Sequence, residues 1–254
     1  MSEAEALAQE AVRALAERFA AHLPLPNRYA YGDRPMREQV LREFKNDSGE
    51  RAAALTRNSH GCLVLNTARA MFVDVDFPKP KAAVGRFLKR LFGKSEPPST
   101  EAPEAATVSK AEAWIRRHPE WGWRVYRTRA GLRLLAIHDV FEPASLLSDA
   151  VFDELGADPL YRRLCRSQKC FRARLTPKPW RCGLERPPSS WPWPDVKSEV
   201  EFQEWEARYQ RVCEQKSTCR LIATLGPARV HREVQSIVAV HDEMARVEAQ
   251  LPLA

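Results

Sequence analysis

No run of about eighteen apolar residues occurs in this sequence, so none of its helices is expected to cross a membrane. The first residues are acidic and alanine-rich, without the basic-then-apolar order of a secretory signal. A cytoplasmic chain with reduced thiols is the expectation. Among the six cysteines there is no Cys-x2-Cys pair. Cys165, Cys170 and Cys182 are separated by four and eleven residues, Cys213 and Cys219 by five, and Cys62 stands alone. A zinc site on Cys165, Cys170 and Cys182 with Cys219 or His138 matches none of the common ligand spacings, so buried thiols are expected. No internal repeat is present. Acid is missing from two stretches: residues 161–184 hold eight Lys or Arg, and residues 79–94 hold six, with no Asp or Glu in either.

Those two stretches account for more than the whole net charge of +7, and the rest of the chain is net acidic. Positive charge concentrated in this way suits a phosphate-rich partner. At 254 residues, 44% hydrophobic and 29% charged, the chain is long enough and apolar enough for a real core.

Apolar spacing predicts an amphipathic helix over residues 2–22, with Leu7, Val12, Leu15 and Phe19 on one face, ended by Pro24 and Pro26. A second helix is predicted over 34–45 from Met36, Val40, Leu41 and Phe44, closed by a turn at Asn46 to Gly49. The apolar runs Leu63 to Leu65 and Met71 to Val73 read as two buried strands or one bulged hairpin. Residues 78–110 read as an insertion, with a basic amphipathic piece at 84–94 and a Pro/Ser/Thr-rich linker at 95–109. A helix is expected over 110–118, then strands at 123–128 and 132–137 around Ala130 and Gly131, a helix over 143–155, and an alternating strand at 170–175. Thr176 to Trp180 forms a prolyl turn that places Lys178 and Trp180. The remainder reads as helical: 196–215, 219–225 and 230–251.

Asp74 and Asp76 end the second apolar run. Strand residues at i and i+2 project to one face, and two adjacent carboxylates stay ionised cheaply only beside a cation. Oxygen ligands of this kind suit Mg²⁺ or Mn²⁺; two solvated aspartates at a strand end is the plain alternative.

In order, an Asp-x-Asp pair (Asp74, Asp76), a turn from Thr128 to Arg133, a further aspartate (Asp158, or less well Asp139), and Phe171-Arg-Ala-Arg174 followed by Lys178 resemble the archaeo-eukaryotic primase-polymerase superfamily. The resemblance covers residues 60–185. It implies an α+β fold with a mixed sheet core of primase/RRM-like type at 59–186; the flanking helical regions at 1–58 and 187–254 are read from apolar spacing and lie outside the resemblance. It also implies a divalent-metal-dependent nucleotidyltransferase acting on nucleic acid, single-stranded by expectation, with nucleoside triphosphate as second partner. Asp74, Asp76 and Asp158 would hold Mg²⁺ or Mn²⁺. Thr128, Arg129, Arg133, Arg172, Arg174 and Lys178 would hold the phosphates. Arg162, Arg163, Arg166 and Trp180 would contact nucleic acid, Trp180 by stacking on a base. Where that family carries a histidine, this chain has Arg133, which can grip a phosphate bidentately but cannot titrate. Two further classes therefore stand beside the first: a catalytically reduced module that binds nucleic acid or nucleotide within a larger complex, and a metal-dependent nuclease.

Overall fold

The two apolar runs around Asn66–Arg69 enter different sheets, so they are separate strands and not a hairpin. In a computed structural model of the chain, residues 38–77, 101–227 and 229–254 are described, together with Gln9, Val12, Arg13 and Ala20. Two compact units are Met1–Arg34 and Pro35–Ala254. In the first, the four described residues are helical; the rest of the helix expected over 2–22, and the basic segment at 84–94, lie outside the described residues.

The second unit runs β1 (Gln39–Lys45), β2 (Arg51–Arg57), β3 (Leu63–Thr67), β4 (Phe72–Asp76), α1 (Glu101–Arg117), β5 (Trp123–Thr128), β6 (Gly131–Ala136), α2 (Leu146–Leu155), α3 (Pro159–Gln168), β7 (Phe171–Arg174), a 3-10 turn (Pro179–Arg181), α4 (Val196–Cys213), β8 (Cys219–Leu225) and α5 (Arg232–Met244). One sheet has the order β1-β2-β3-β7 and the other β4-β6-β5-β8. The protein is α+β. All six strand pairings are antiparallel, which corrects the mixed sheet expected from the sequence. Among the described residues the one parallel pairing is an isolated bridge between Ser217 and Leu253.

The core forms where the second sheet meets α1, α2 and α5. Every residue of β6 is buried, and Phe72, Trp123, Tyr126, Leu134, Phe152 and Phe171 are among its largest enclosed side chains. Each such side chain contributes on the order of 1.5–3 kcal/mol by leaving water. A smaller cluster of Phe202, Trp205 and Tyr209 on α4 packs against Leu184 and Trp193. Local signals set the helix ends: Ser145 caps α2 by accepting from the Ser148 N–H, and Gly156 closes it at φ 76°. Asp158 and Pro159 open α3, and Asp195 caps α4.

Three expectations are corrected. The segment read as a helix over 34–45 contains strand β1, so the region 1–58 is not wholly helical. Val40, Leu41 and Phe44 satisfied helical spacing by coincidence, because an edge strand exposed along most of its length shows no alternation. Residues 101–109, read as linker, are the first half of α1. Their Ala and Glu content favours helix, and Pro103 sits in the first turn where it costs little. Residues 219–225, read as helix, are β8, with Cys219, Leu221, Ala223 and Leu225 alternating inward. The region 187–254 thus supplies an edge strand to the second sheet.

The free edges of the two sheets meet at β4 and β7, and side chains join them there. Tyr161 of α3 donates its hydroxyl to the Phe72 carbonyl at 2.7 Å and accepts from the Arg172 N–H at 3.4 Å. Arg133 donates from Nη1 to the Arg174 carbonyl at 2.9 Å. Thr218 donates its hydroxyl to the Leu175 carbonyl at 2.6 Å.

Candidate functional site

The β4–β6 register sets Asp74 directly opposite Arg133 and Asp76 opposite Gly131. A Cβ on Gly131 would lie 2.0 Å from the Val75 carbonyl oxygen, so only glycine admits this close crossing. Arg133 donates from Nε to Asp74 Oδ1 at 2.8 Å and from Nη2 to Oδ2 at 3.2 Å. Its Nη1 serves the Arg174 carbonyl and, at 3.4 Å, His241 Nε2. Because a guanidinium only donates, Nε2 is the acceptor, and the His241 proton sits on Nδ1, 2.9 Å from Asp242 Oδ1. Asp242 also accepts from Tyr126 Oη at 2.8 Å and from Arg124 Nη2. The chain Asp74–Arg133–His241–Asp242–Arg124, buried at Arg133 and His241, therefore holds two guanidinium and two carboxylate groups around one neutral imidazole. Burial alone would lower the Arg133 pKa, but the Asp74 charge and hydrogen bonds raise it overall. Burial drives the His241 pKa down despite Asp242. Cys219 Sγ lies 3.8 Å from His241 Nε2, and burial pushes its thiol up to about 12, so it packs as an inert group.

This arrangement changes the part expected of several residues. Arg133 is 2% exposed, with four of its five N–H positions turned to protein acceptors, and has no open face to grip a phosphate. Asp158 is a helix cap: its Oδ2 accepts from the Tyr161 N–H at 3.0 Å, while its own N–H donates to the Asp74 carbonyl. The cap is spent on the backbone of α3, so Asp158 is not offered as a third metal ligand. Asp139 accepts from the Val140 N–H within its own turn. A divalent ion at Asp74 would have to displace a buried guanidinium from both oxygens, so the donor set as arranged does not fit one.

Other arginines also have internal partners. Arg172 is paired with Glu38 at 2.7 Å, with side chains 11% and 6% exposed. Arg162 and Arg166 of α3 reach across to Asp153 and Asp149 of α2. Arg163 is exposed beside them. Thr128 donates to the Gly131 carbonyl and closes the β5–β6 turn.

What remains clusters around the prolyl turn after β7, where Arg174 is part-buried and donates from Nη1 to the Thr176 carbonyl at 2.8 Å. Asp76 is exposed and within electrostatic reach of Lys178 and Arg181. Arg181 in turn feels Arg174 and Arg129, and Cys182 lies among Lys216, Arg174, Arg129 and Arg181. Among the described residues none of Arg129, Arg174, Lys178, Arg181 or Arg186 makes an ion pair with a carboxylate. Burial chiefly, and then the charges of Arg174 and Arg181, lower the Lys178 pKa. Trp180 stands at the edge of this cluster, 45% exposed. Lys178 Nζ and Arg186 Cζ each lie 5.6 Å from its ring centre, and His60 packs edge-on at 5.3 Å.

The turn carrying these groups is rigid. Tyr209 Oη of α4 donates to the Pro177 carbonyl, Cys62 Sγ reaches the same oxygen at 3.4 Å, and Thr176 Oγ1 accepts from the Leu63 N–H at 2.8 Å. The prolyl turn read from the sequence is thus clamped between α4 and β3. Arg129, Arg174, Lys178 and Trp180 carry a signal in the sequence; Arg181 lies in the same acid-free stretch without a motif of its own, and no local pattern marks His60, Arg186 or Lys216.

No protein-family model, curated protein or solved structure matches the chain. No helix among the described residues is long and apolar enough to cross a membrane.

Proposed function

We propose that the chain is a nucleic-acid-binding module that holds single strands through phosphates and one stacked base. The observation that carries this reading is Trp180, exposed between Lys178 and Arg186 at the rim of a cluster of cations that, among the described residues, form no direct ion pair with a carboxylate. A base accepts an aromatic face whatever its identity, and the cations beside it meet the adjoining phosphates. Crowded positive charge is unfavourable in the free protein, and a polyanion relieves it. Arg163 is exposed on α3, while Arg162 and Arg166 share their charge with α2.

The test is fluorescence anisotropy with a labelled single-stranded oligonucleotide at increasing salt. Three to five phosphate contacts predict a log–log slope of about −2 to −3.5. The double variant Lys178→Ala/Arg181→Ala is expected to flatten it by roughly one unit or more. Binding indifferent to salt, or unchanged in the double variant, would defeat the proposal.

A nucleotidyltransferase or nuclease at the same cluster is the second reading, favoured by Asp76 lying near Lys178 and Arg181. Primer extension or strand cleavage by the parent, lost in Asp76→Asn, would establish it over the binding module.

A further inference from the structure

We infer that Arg133 is a built-in cation: its guanidinium occupies the place before Asp74 where a divalent metal ion would sit, leaving the Asp74/Asp76 pair a latent, internally neutralised metal site. The carboxylates project from one face of β4, and such a pair needs a counter-charge. In this fold the counter-charge is part of the chain. Arg133 meets Asp74 across the antiparallel ladder, Nε to Oδ1 at 2.8 Å and Nη2 to Oδ2 at 3.2 Å. Both carboxylate oxygens are thereby engaged by one planar fork.

The rest of the guanidinium is held as firmly. Nη1 is fixed by the Arg174 carbonyl of β7 and by the neutral His241 of α5, which Asp242 orients through Nδ1. Two elements outside the β4–β6 pair, β7 and α5, thus hold Arg133 onto Asp74. A dissolved ion competes poorly with a tethered one, because to enter it must strip a buried guanidinium of its carboxylate counter-charge. If the guanidinium is removed with the backbone kept, the same oxygens, with Asp76 beside them and Lys178 and Arg181 further out, become open to a hard cation.

This inference stands apart from nucleic-acid binding, which rests on the cluster around Trp180, so each can fail without the other. The experiment uses the full chain without nucleic acid: Mn²⁺ titration followed by the electron paramagnetic resonance signal of the free ion. The proteins are the parent, Arg133→Gln and Arg133→Gln/Asp76→Asn. Thermal unfolding of the parent in MgCl₂ against NaCl of equal ionic strength runs alongside.

The parent is expected to bind no stoichiometric Mn²⁺ and to gain no magnesium-specific melting shift. Arg133→Gln is expected to bind one Mn²⁺ at least tenfold more tightly than the parent, and to lose it with Asp76→Asn. Stoichiometric Mn²⁺ on the parent that vanishes in Asp74→Asn would overturn the inference, and so would a folded Arg133→Gln that binds no better than the parent. Should Arg133→Gln unfold, added Mn²⁺ must restore a cooperative melting transition, since it supplies the missing charge. No response to the ion would equally overturn it.

Discussion

Asp74 is one-third exposed, yet its two oxygens bind a guanidinium that solvent hardly touches. The pair is asymmetric in what its loss does. Asp74→Asn leaves Arg133 charged and enclosed, at a cost of about 3 kcal/mol, the low end of the penalty for breaking a buried pair because Asp74 retains some water contact. Urea denaturation measures this directly. Asp76→Asn, on the exposed end of the same strand, should change stability by less than about 1 kcal/mol. An exposed metal ligand at position 74 would show no such difference, so comparing the two variants separates a structural carboxylate from a ligand. Trp180 gives the opposite contrast. Trp180→Ala removes a half-exposed ring and should leave unfolding nearly unchanged, while weakening single-strand binding by about 1–3 kcal/mol in an anisotropy titration.

At the scale of elements, the site depends on how closely β4 and β6 cross. Gly131→Ala would drive a methyl into the Val75 carbonyl, and with β6 buried along its whole length there is no slack to absorb it. The expected loss is about 1–3 kcal/mol, as for other overpacked positions, and hydrogen exchange should show the β4–β6 amides opening first. The elements themselves were legible to different degrees. β4, β5, β6 and β7 each carry an apolar run or alternation that survives in isolation, and α4 has an apolar stripe of Phe202, Trp205 and Tyr209. β1 was misread because edge strands bury little and so lose the period-two signal. β8 has that signal, but its position between two helices masked it.

At the scale of the whole molecule, three imidazoles among the described residues sit where their surroundings disfavour protonation. Burial lowers the pKa of His241, His60 and His138, and in His60 the charges of Arg186 and Lys178 add to it. Below the ordinary imidazole value near 6.5, the unfolded chain binds these protons and the folded chain does not, so stability falls with pH there until each folded pKa is passed. A second cation against Arg133 makes His241 the chief term. The melting temperature is expected to drop between pH 7.5 and pH 5, and His241→Gln, which can still donate to Asp242 and accept from Arg133, should shallow that drop. A parent curve flat over the range, or a variant curve parallel to it, would contradict this account.

The sequence by itself determined the α+β class, most strands, the common face of Asp74 and Asp76, and the concentration of positive charge in residues 161–184. These follow from spacing and composition, which act over a few residues along the chain. Only the tertiary structure decided which charges are used up. Arg133 lies 59 residues from Asp74, and Arg172 lies 134 from Glu38, so neither pairing leaves a trace in local pattern. Electrostatic attraction falls with distance in space and grows as water is excluded. Folding therefore sorted chemically identical arginines into internal counter-ions and an open cluster around Trp180.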